Sequence, residues 1–425
     1  MKTLTIVIIF ALIIYNVHLI PVPTDDEPEL QYVIPITSSP LNPNLLTAEV
    51  KLDGFKLAII IDISSDLVWV RKTSEDTSVI LKQGKFVTEK CTPTGERISG
   101  DITFLDNNVQ LQNISYFELT SQDKPCAYKS TLGLARKFNK NYFSIFELIK
   151  KKGISPEFSI RFNSYSSNNF NGELKFGSHE TELFDISINR IECDLLDLGT
   201  RWAVVLQGLV FGSLEEGEQS QNGKVFYVEA KSPNFKKVDA PLVIDTLQKY
   251  VIAPKNFIKY FKDKIFKSYL DKGICTFRDN IDEINAFYCS VEVVSSFPQI
   301  HFILNNFVLH LPFLFEKTDD GTDQYMFIII EYPKISKWTF GNYIYYAYTL
   351  YFNDRGKTLN FLSKGDVDKV RIIGDYNEKE EESENKITSY EIGFGIIFFI
   401  NITGITLLLV SLFKQKVYVE TQIIK

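Results

Sequence analysis

The sequence contains few of the residues that bind transition metals, with five cysteines and four histidines among 425 residues. No two cysteines have the Cys-x-x-Cys spacing that zinc and iron sites often use, so we do not expect a bound metal. Positive charge is also scarce, because 46 lysines and arginines stand against 53 aspartates and glutamates, a formal net charge of -7. This balance argues against nucleic acid as a partner, since its backbone attracts clustered basic side chains.

The body of the chain, residues 29–365, has the pattern of an all-β protein. With 45% hydrophobic and 14% aromatic residues it can bury one large core or two medium ones, which excludes a disordered protein. Short runs rich in Val, Ile, Phe and Tyr alternate with turn residues, as at 55–70 and 300–311. Long helical periods are rare, and we predict helices at 143–152 and 254–272. Sparse helices among many strands indicate a sandwich or a barrel.

The first 20 residues have the layout of a secretory signal peptide. Lys2 precedes a long apolar run, and a segment rich in Pro, Asp and Glu follows at 21–29. The alternative is a first buried strand of the body. We expect a signal peptide over residues 1–20, which directs the chain into the secretory pathway.

An apolar segment near the C-terminus, residues 392–413, is predicted to cross the lipid bilayer as a helix. At ~1.5 Å per residue its length spans the ~30 Å of hydrocarbon in a bilayer. Acidic residues crowd the preceding 366–391, whereas Lys414 and Lys416 follow at once, so the lysine side faces the cytosol. We therefore expect an acidic stalk, a transmembrane helix and a cytoplasmic tail at 414–425. The alternative is a buried core helix.

This arrangement is that of a single-pass type I membrane protein. The body is then expected to lie outside the cytosol, at the plasma membrane or in an acidic organelle.

Two apolar strands of the body end in aspartate. Leu57-Ala-Ile-Ile-Ile-Asp62 and Ala240-Pro-Leu-Val-Ile-Asp245 place their aspartates 183 residues apart. A carboxylate at the end of a buried strand is costly unless it is hydrogen-bonded or used in chemistry, and two at this spacing suggest a duplicated unit. For each aspartate alone, the alternative is an ordinary turn carboxylate. The repeat favours two carboxylates that act together.

Further motifs accompany these strands in a fixed order. In chain order the set is Asp62-Ile63-Ser64-Ser65-Asp66-Leu67-Val68-Trp69-Val70, Leu132-Gly133-Leu134-Ala135, Trp202, Asp245-Thr246-Leu247 and Phe340-Gly341. The set resembles the pepsin-like aspartic endopeptidases over roughly residues 45–365. The resemblance implies an all-β, bilobal double β-barrel, with an N-terminal lobe at 29–188 and a C-terminal lobe at 189–365.

The resemblance also implies a catalytic pair. Asp62 and Asp245 would face each other across a cleft and share one proton, because two carboxylates in contact do not both ionise cheaply. Such a pair activates a water molecule and needs no metal or organic cofactor. The substrate would be a polypeptide bound in extended form, like an added β-strand.

Both active-site loops depart from the Asp-Thr/Ser-Gly pattern of the family. Ile63 removes one hydroxyl that would join the lobes, Ser64 replaces the first glycine and Leu247 replaces the second. Ser65 and Thr246 keep the other hydroxyls of the loops. Two functions therefore stay open: a membrane-anchored endopeptidase of low or specialised activity, favoured because both aspartates are present, and an inactive pseudoprotease whose cleft binds peptides or proteins.

Two of the five cysteines lie in positions that the resemblance helps to interpret. Cys275 and Cys289 flank a short segment, as does the disulfide of the family's C-terminal lobe, and are expected to pair. We also expect Cys91 to pair with Cys126, which leaves Cys193 unpaired and buried. In a secreted body, Asn113-Ile-Ser is a sequence for N-glycosylation. His301 and His310 are expected to be structural.

Overall fold

The computed structural model describes residues 31–38, 45–65, 68–70, 96–104, 109–118, 130–136, 145–166, 169–177, 189–220, 223–281, 284–318, 322–363 and 368–373. All of them belong to one compact unit, Glu29–Gly374. Within these residues, no helix is long and apolar enough to cross a membrane. The predicted signal peptide, the predicted transmembrane helix at 392–413 and the predicted tail lie outside the described residues.

Strands of the first half of the unit follow the period-two pattern of half-buried sheet. In the second strand Ala48, Val50 and Leu52 point inward, whereas Glu49 and Lys51 are exposed. The strands are β1 Tyr32–Ser38, β2 Leu46–Leu52, β3 Phe55–Asp62, β4 Trp69–Val70, β5 Glu96–Phe104, β6 Val109–Glu118, β7 Thr131–Gly133, β8 Phe158–Ser166 and β9 Asn169–Phe176.

The second half of the unit is also built from strands. They are β10 Asn189–Asp194, β11 Ala203–Phe211, β12 Glu215–Ser220, β13 Gly223–Glu229, β14 Phe235–Ile244, β15 Val251–Ile252, β16 Cys275–Ile281, β17 Ile284–Ser290, β18 Ile300–Leu304, β19 Phe307–His310, β20 Phe315–Lys317, β21 Gln324–Phe327, β22 Ile329–Ile330, β23 Trp338–Phe340, β24 Thr349–Asn353, β25 Thr358–Ser363 and β26 Lys369–Ile373. The described residues are mostly β, which is the coarser part of the predicted fold class.

These strands form three sheets. The largest has the order β10-β25-β24-β8-β9-β1-β2-β3-β7-β4-β6-β5, and the second has the order β12-β13-β26-β19-β18-β11-β14-β23-β15-β22. The third has the order β16-β17-β21-β20. The first sheet runs through both halves of the chain, because β24 of the second half pairs with β8 of the first. The predicted lobe boundary at 188/189 falls just before β10.

The folded unit extends further along the chain than the sequence indicates. The acidic stalk was expected from residue 366, but β26 pairs parallel with β13 and, on its other side, antiparallel with β19. Val370 in this strand is buried. The high charge of 366–391 as a whole concealed the short apolar run Val370-Arg-Ile-Ile373, which has enough apolar surface to pack as a strand.

Helices occur where they were predicted, with one difference in form. Ile145–Lys151 is helical within the predicted 143–152. The segment predicted at 254–272 is interrupted, because two α-helices flank a π-helix in which the Phe266 amide donates to the Phe261 carbonyl. The bounds here are Lys255–Tyr260, Phe261–Ile265 and Lys267–Asp271. Two further short helices, Val291–Ser296 and the 3-10 helix Asn342–Tyr346, were not expected.

The apolar run at 300–311 is a tight hairpin rather than one strand. Strands β18 and β19 meet at Asn305 and Asn306, which have positive φ angles of 46° and 62°. His301 and His310 face each other across this hairpin with their Nδ1 atoms 3.1 Å apart. Their mutual contact agrees with a structural role.

The two predictions for the described cysteines are confirmed. Cys275 and Cys289 are directly paired residues of β16 and β17 and form a disulfide with a Cα–Cα distance of 4.1 Å. Cys193 is a buried free cysteine. Cys91 and Cys126 lie outside the described residues. Asn113 lies in β6, and its glycosylation remains a prediction.

Candidate active site

Asp62 ends a strand whose last four residues, 59–62, are buried. Strand β3 pairs antiparallel with β2 and parallel with β7, and its Ile59 and Ile61 are fully buried. The amide of Leu134, just beyond β7, donates to the Asp62 carbonyl at 2.8 Å. The apolar Leu132-Gly133 segment therefore passes beside the first loop and fixes the point at which Asp62 leaves the sheet.

The carboxyl group of Asp62 is buried and hydrogen-bonded by its own loop. Its Oδ1 accepts from the backbone amide and from the hydroxyl of Ser64, each at 2.7 Å. Burial raises the pKa of Asp62, and the donors of Ser64 and the charge of Arg201 oppose that rise. Ser64, which replaces a glycine of the family pattern, thus adds a hydroxyl donor to the carboxylate.

Asp245 occupies the equivalent place in the second half. It follows β14, which pairs in parallel with β23, and its amide donates to the Phe340 carbonyl at 3.0 Å. The Leu247 amide donates to Asp245 Oδ1 at 2.9 Å, so the loop forms a turn around the carboxylate although a leucine replaces the glycine. The two halves of the molecule therefore present their aspartates on the same local architecture, a parallel strand pair followed by a tight loop.

The charge of Asp62 acts on the carboxyl group of Asp245. Burial, and after it the charge of Asp62, raises the pKa of Asp245 to about 6. The charge of Arg201 opposes this rise. A like charge raises a carboxyl pKa when the groups are close in a site of low polarity. The structure thus brings together the two aspartates that the sequence predicted, as a coupled pair that holds a proton more readily than an exposed aspartate.

One threonine hydroxyl joins the two loops. Thr246 is fully buried, and its Oγ1 donates to the Ile61 carbonyl at 2.8 Å while accepting from the Ile63 amide at 3.3 Å. The reciprocal contact would need a hydroxyl at Ile63, whose apolar side chain is fully buried instead. The loops are therefore linked through the second loop's hydroxyl. Ser65 holds the first loop through its backbone, because its carbonyl accepts a hydrogen bond from the Ala135 amide at 2.9 Å.

Gly341 allows the second loop to pack closely. A Cβ atom at this position would lie 2.5 Å from the Gln248 carbonyl oxygen and 2.6 Å from that of Tyr250. The Gly341 amide also donates to the Tyr250 carbonyl at 3.1 Å. Only glycine permits this approach of backbone to backbone, which accounts for the predicted Phe340-Gly341 motif.

Two residues beside Asp245 were not identified from the sequence. Arg201 places its Nη1 atom 3.5 Å from Asp245 Oδ2. Tyr345, from the unexpected 3-10 helix, is buried, and the charge of Asp245 contributes to raising its phenol pKa. The Tyr345 hydroxyl has no hydrogen-bond partner among the described residues. The one available signal for Arg201 was its position next to Trp202.

Comparison with known families agrees with this geometry. Residues 94–363 match the model of the eukaryotic aspartyl protease family. The chain belongs to that family. The matched residues include the Asp245 loop and begin after the Asp62 loop, so the assignment of Asp62 rests on the sequence motif and the geometry above.

The fold of this aspartyl protease is found among solved structures. One match is the aspartic proteinase from Irpex lacteus, with a TM-score of 0.54 and 12% sequence identity, covering 79% of this chain and 97% of that chain. At this identity the likeness concerns the fold alone. No curated protein matches the chain.

Among the residues that the structure describes, no group of three or more His, Cys, Asp or Glu side chains is arranged to hold a metal ion.

Proposed function

We propose that the protein is a membrane-anchored aspartic endopeptidase that hydrolyses peptide bonds by means of Asp62 and Asp245. The observation that carries the proposal is the coupled carboxyl pair: both groups are buried, each ends a corresponding strand, and the charge of one raises the pKa of the other. Turn carboxylates of ordinary structural use would be solvated or paired with separate partners. Membership of the aspartyl protease family supports the same reading.

The proposed reaction uses one proton shared by the pair. The ionised carboxyl takes a proton from a water molecule, whose oxygen attacks the carbonyl carbon of the scissile peptide bond. The protonated carboxyl donates a hydrogen bond to the carbonyl oxygen, so that charge developing in the tetrahedral intermediate is stabilised. Transfer of a proton to the amine then allows the C–N bond to break. No metal or organic cofactor takes part.

The substrate class is polypeptide. A pepsin-like cleft is suited to an extended chain, which makes main-chain hydrogen bonds as an added strand and places alternate side chains in pockets. Its residue preference is set by pocket side chains around the carboxyl pair, of which Arg201 and Tyr345 lie beside Asp245.

Membrane anchoring is the second part of the proposal. It is supported by the apolar length of residues 392–413, by the acidic segment before it and by the lysines after it. We infer a type I orientation with a signal peptide at 1–20, glycosylation at Asn113, and the catalytic unit at the plasma membrane or in an acidic organelle. The disulfide Cys275–Cys289 is consistent with an oxidising compartment.

A pseudoprotease is the second candidate, and one observation favours it. The loops are linked by the Thr246 hydroxyl without a reciprocal hydroxyl at Ile63, so the carboxyl pair is less rigidly held than the family pattern provides. In this case the cleft would bind a peptide or protein without cutting it.

The deciding experiment compares the full-length protein in detergent with Asp62→Asn and Asp245→Asn, using a mixed peptide library from pH 3 to 7. We expect turnover at acid pH that falls as the pH rises above about 6, because the raised pKa of Asp245 marks the loss of the shared proton. Both substitutions should abolish turnover. Folded wild-type protein that binds a statine peptide but cuts nothing at any pH would instead establish the pseudoprotease.

A further inference from the structure

Arg201 is held beside the second catalytic loop by its neighbour in the chain. Trp202 is buried, and its indole Nε1 donates to the Leu134 carbonyl at 3.0 Å, next to the first loop. The Trp202 carbonyl accepts from the Ile244 amide at 2.9 Å, which is the residue before Asp245. The backbone at Arg201 is therefore anchored to both halves of the site, and its position relative to the carboxyl pair is fixed by the fold.

The Arg201 guanidinium contacts one carboxyl and acts on both. Its Nη1 lies 3.5 Å from Asp245 Oδ2, where the side chains are 32% and 9% exposed. Its positive charge also lowers the pKa of Asp62, against the effect of burial. Arginine keeps its charge at every pH that a protein tolerates, so this is a permanent charge beside a pair that titrates.

The other groups that face the two carboxyls in the described part of the chain are neutral donors and one phenol. Asp62 accepts from Ser64 and from the Ser65 backbone, and Asp245 accepts from the Leu247 amide. The Tyr345 phenol lies near Asp245 and stays protonated, because its pKa is raised well above the usual value by burial. None of these groups changes charge in the range where the carboxyl pair does.

We propose that Arg201 is a positioning residue of the catalytic pair. It orients the Asp245 carboxylate, and it shifts the pH range in which the two carboxyls share one proton toward more acidic pH. The inference deepens the proposed function and rests on it where turnover is concerned. The direction follows from charge: a cation favours the singly ionised pair over the neutral pair, and the doubly ionised pair over the singly ionised one. Both titration steps therefore shift to lower pH.

The consequence for an enzyme is a more acidic working range. An opposite charge at this distance typically lowers a carboxyl pKa by about one unit or more, and the part exposure of Arg201 argues for the lower end. Removing the charge should therefore move both limbs of the pH profile upward by about one pH unit.

The test compares Arg201→Gln and Arg201→Lys with the wild-type full-length protein. Arg190→Gln is the matched control, because it removes a partly exposed arginine whose Nη1 lies 3.9 Å from Glu192 Oε2 on a surface strand. In kcat/KM profiles, both limbs should move up by about one unit in the glutamine variant at position 201 and stay near their wild-type positions in the lysine variant. Unmoved limbs, or equal movement in the Arg190 control, would overturn the proposal.

A second measurement needs neither turnover nor ligand. The carboxyl pair has raised folded pKa values, so it stabilises the fold below pH ~4 and loses this effect as the pH rises through about 6. Without Arg201 the folded pKa values rise further, so the difference in Tm between wild type and Arg201→Gln should grow from pH 4 to 7. When both proteins also carry Asp245→Asn, this difference in Tm should increase less between pH 4 and pH 7. A constant difference would refute the role of Arg201, whereas absent turnover with a growing difference would refute only the proposed protease activity.

Discussion

At the scale of single residues, the hydroxyl of Thr246 connects the Asp62 loop to the Asp245 loop. It makes two buried hydrogen bonds to the other half of the molecule, one as donor to Ile61 and one as acceptor from Ile63. Ile63 offers no hydroxyl in return. The relative position of the two carboxyls therefore depends in part on this one side chain.

Thr246→Val is expected to weaken both stability and ligand binding. The valine has the same shape but leaves the Ile61 carbonyl and the Ile63 amide without this buried partner, at a cost of about 2–3 kcal/mol. A displaced carboxyl pair should also bind a statine peptide at least about tenfold more weakly, since small misplacements at a catalytic centre are costly. Denaturant unfolding and titration calorimetry at pH 4 measure the two effects.

Thr47→Val is the matched control for that substitution. Thr47 is also buried, and its Oγ1 donates to the Thr37 carbonyl at 3.2 Å within the first sheet. It should cost about 1 kcal/mol of stability and leave statine binding unchanged. Equal loss of binding in both variants would mean that the Thr246 link does not position the carboxyls.

The sequence identified the candidate site residues that belong to a local sequence pattern. Asp62 and Asp245 each end an apolar strand, and this pattern is readable without a structure. Arg201 has no such pattern, since its contact with Asp245 arises only when the loop before β11 is tied to both halves through Trp202. The compensation at Ser64, a hydroxyl donor in place of a glycine, likewise appears only in three dimensions.

At the scale of elements, β23 and the loop after it hold Asp245 in place. Strand β23 lies between β14 and β15, parallel to the first and antiparallel to the second. Gly341 then passes against the backbone of the Asp245 loop, close to the Gln248 and Tyr250 carbonyls. Any side chain at Gly341 must push this loop away from its position.

Gly341→Ala should therefore destabilise the second loop. Because the atoms in the way are backbone carbonyls at 2.5 Å and 2.6 Å, the clash cannot be relieved by rotating a side chain. We expect a loss of about 1–3 kcal/mol in the free energy of unfolding, typical of overpacking, and loss of statine-peptide binding. Chemical denaturation and calorimetry would detect them.

Gly356→Ala provides the control for this substitution. Its added Cβ would lie 2.9 Å from the Asn353 side-chain Nδ2, a flexible group in a surface turn that can move aside. The Gly356→Ala variant should bind the statine peptide as tightly as the wild type. If Gly341→Ala bound the peptide as tightly as wild type, the close approach would have no part in positioning Asp245.

Three elements differ in detail from what the sequence patterns predicted. The helix at 254–272 was correctly located, but its π-helical section depends on the packing of Phe261 and Phe266, both fully buried, rather than on period alone. The run at 300–311 is mainly apolar, and Asn305 with Asn306 forms a hairpin turn inside it. Strand β26 was missed because its few apolar residues precede a strongly charged segment.

At the scale of the whole described unit, the two halves are joined by a shared sheet and a shared aromatic core. Strand β24 of the second half pairs with β8 of the first. Across this junction Phe158 and Phe352 stack with ring centroids 4.5 Å apart, and Trp202 packs edge-on against both at 5.6 Å and 5.1 Å. We therefore expect the predicted lobes to fold and unfold together rather than as independent domains.

Phe352→Ala tests this coupling. Phe352 is fully buried, and its loss should cost about 3–5 kcal/mol by removing apolar contacts and leaving a cavity. If the junction couples the halves, tryptophan fluorescence and far-UV circular dichroism should follow one unfolding transition in wild type and one transition, at lower denaturant, in the variant. Val205→Ala, at a 40% exposed position on β11, should leave the midpoint almost unchanged. Two separate transitions in the wild type would show that each half folds alone, and the carboxyl pair would then depend on docking of finished lobes instead of on the shared sheet.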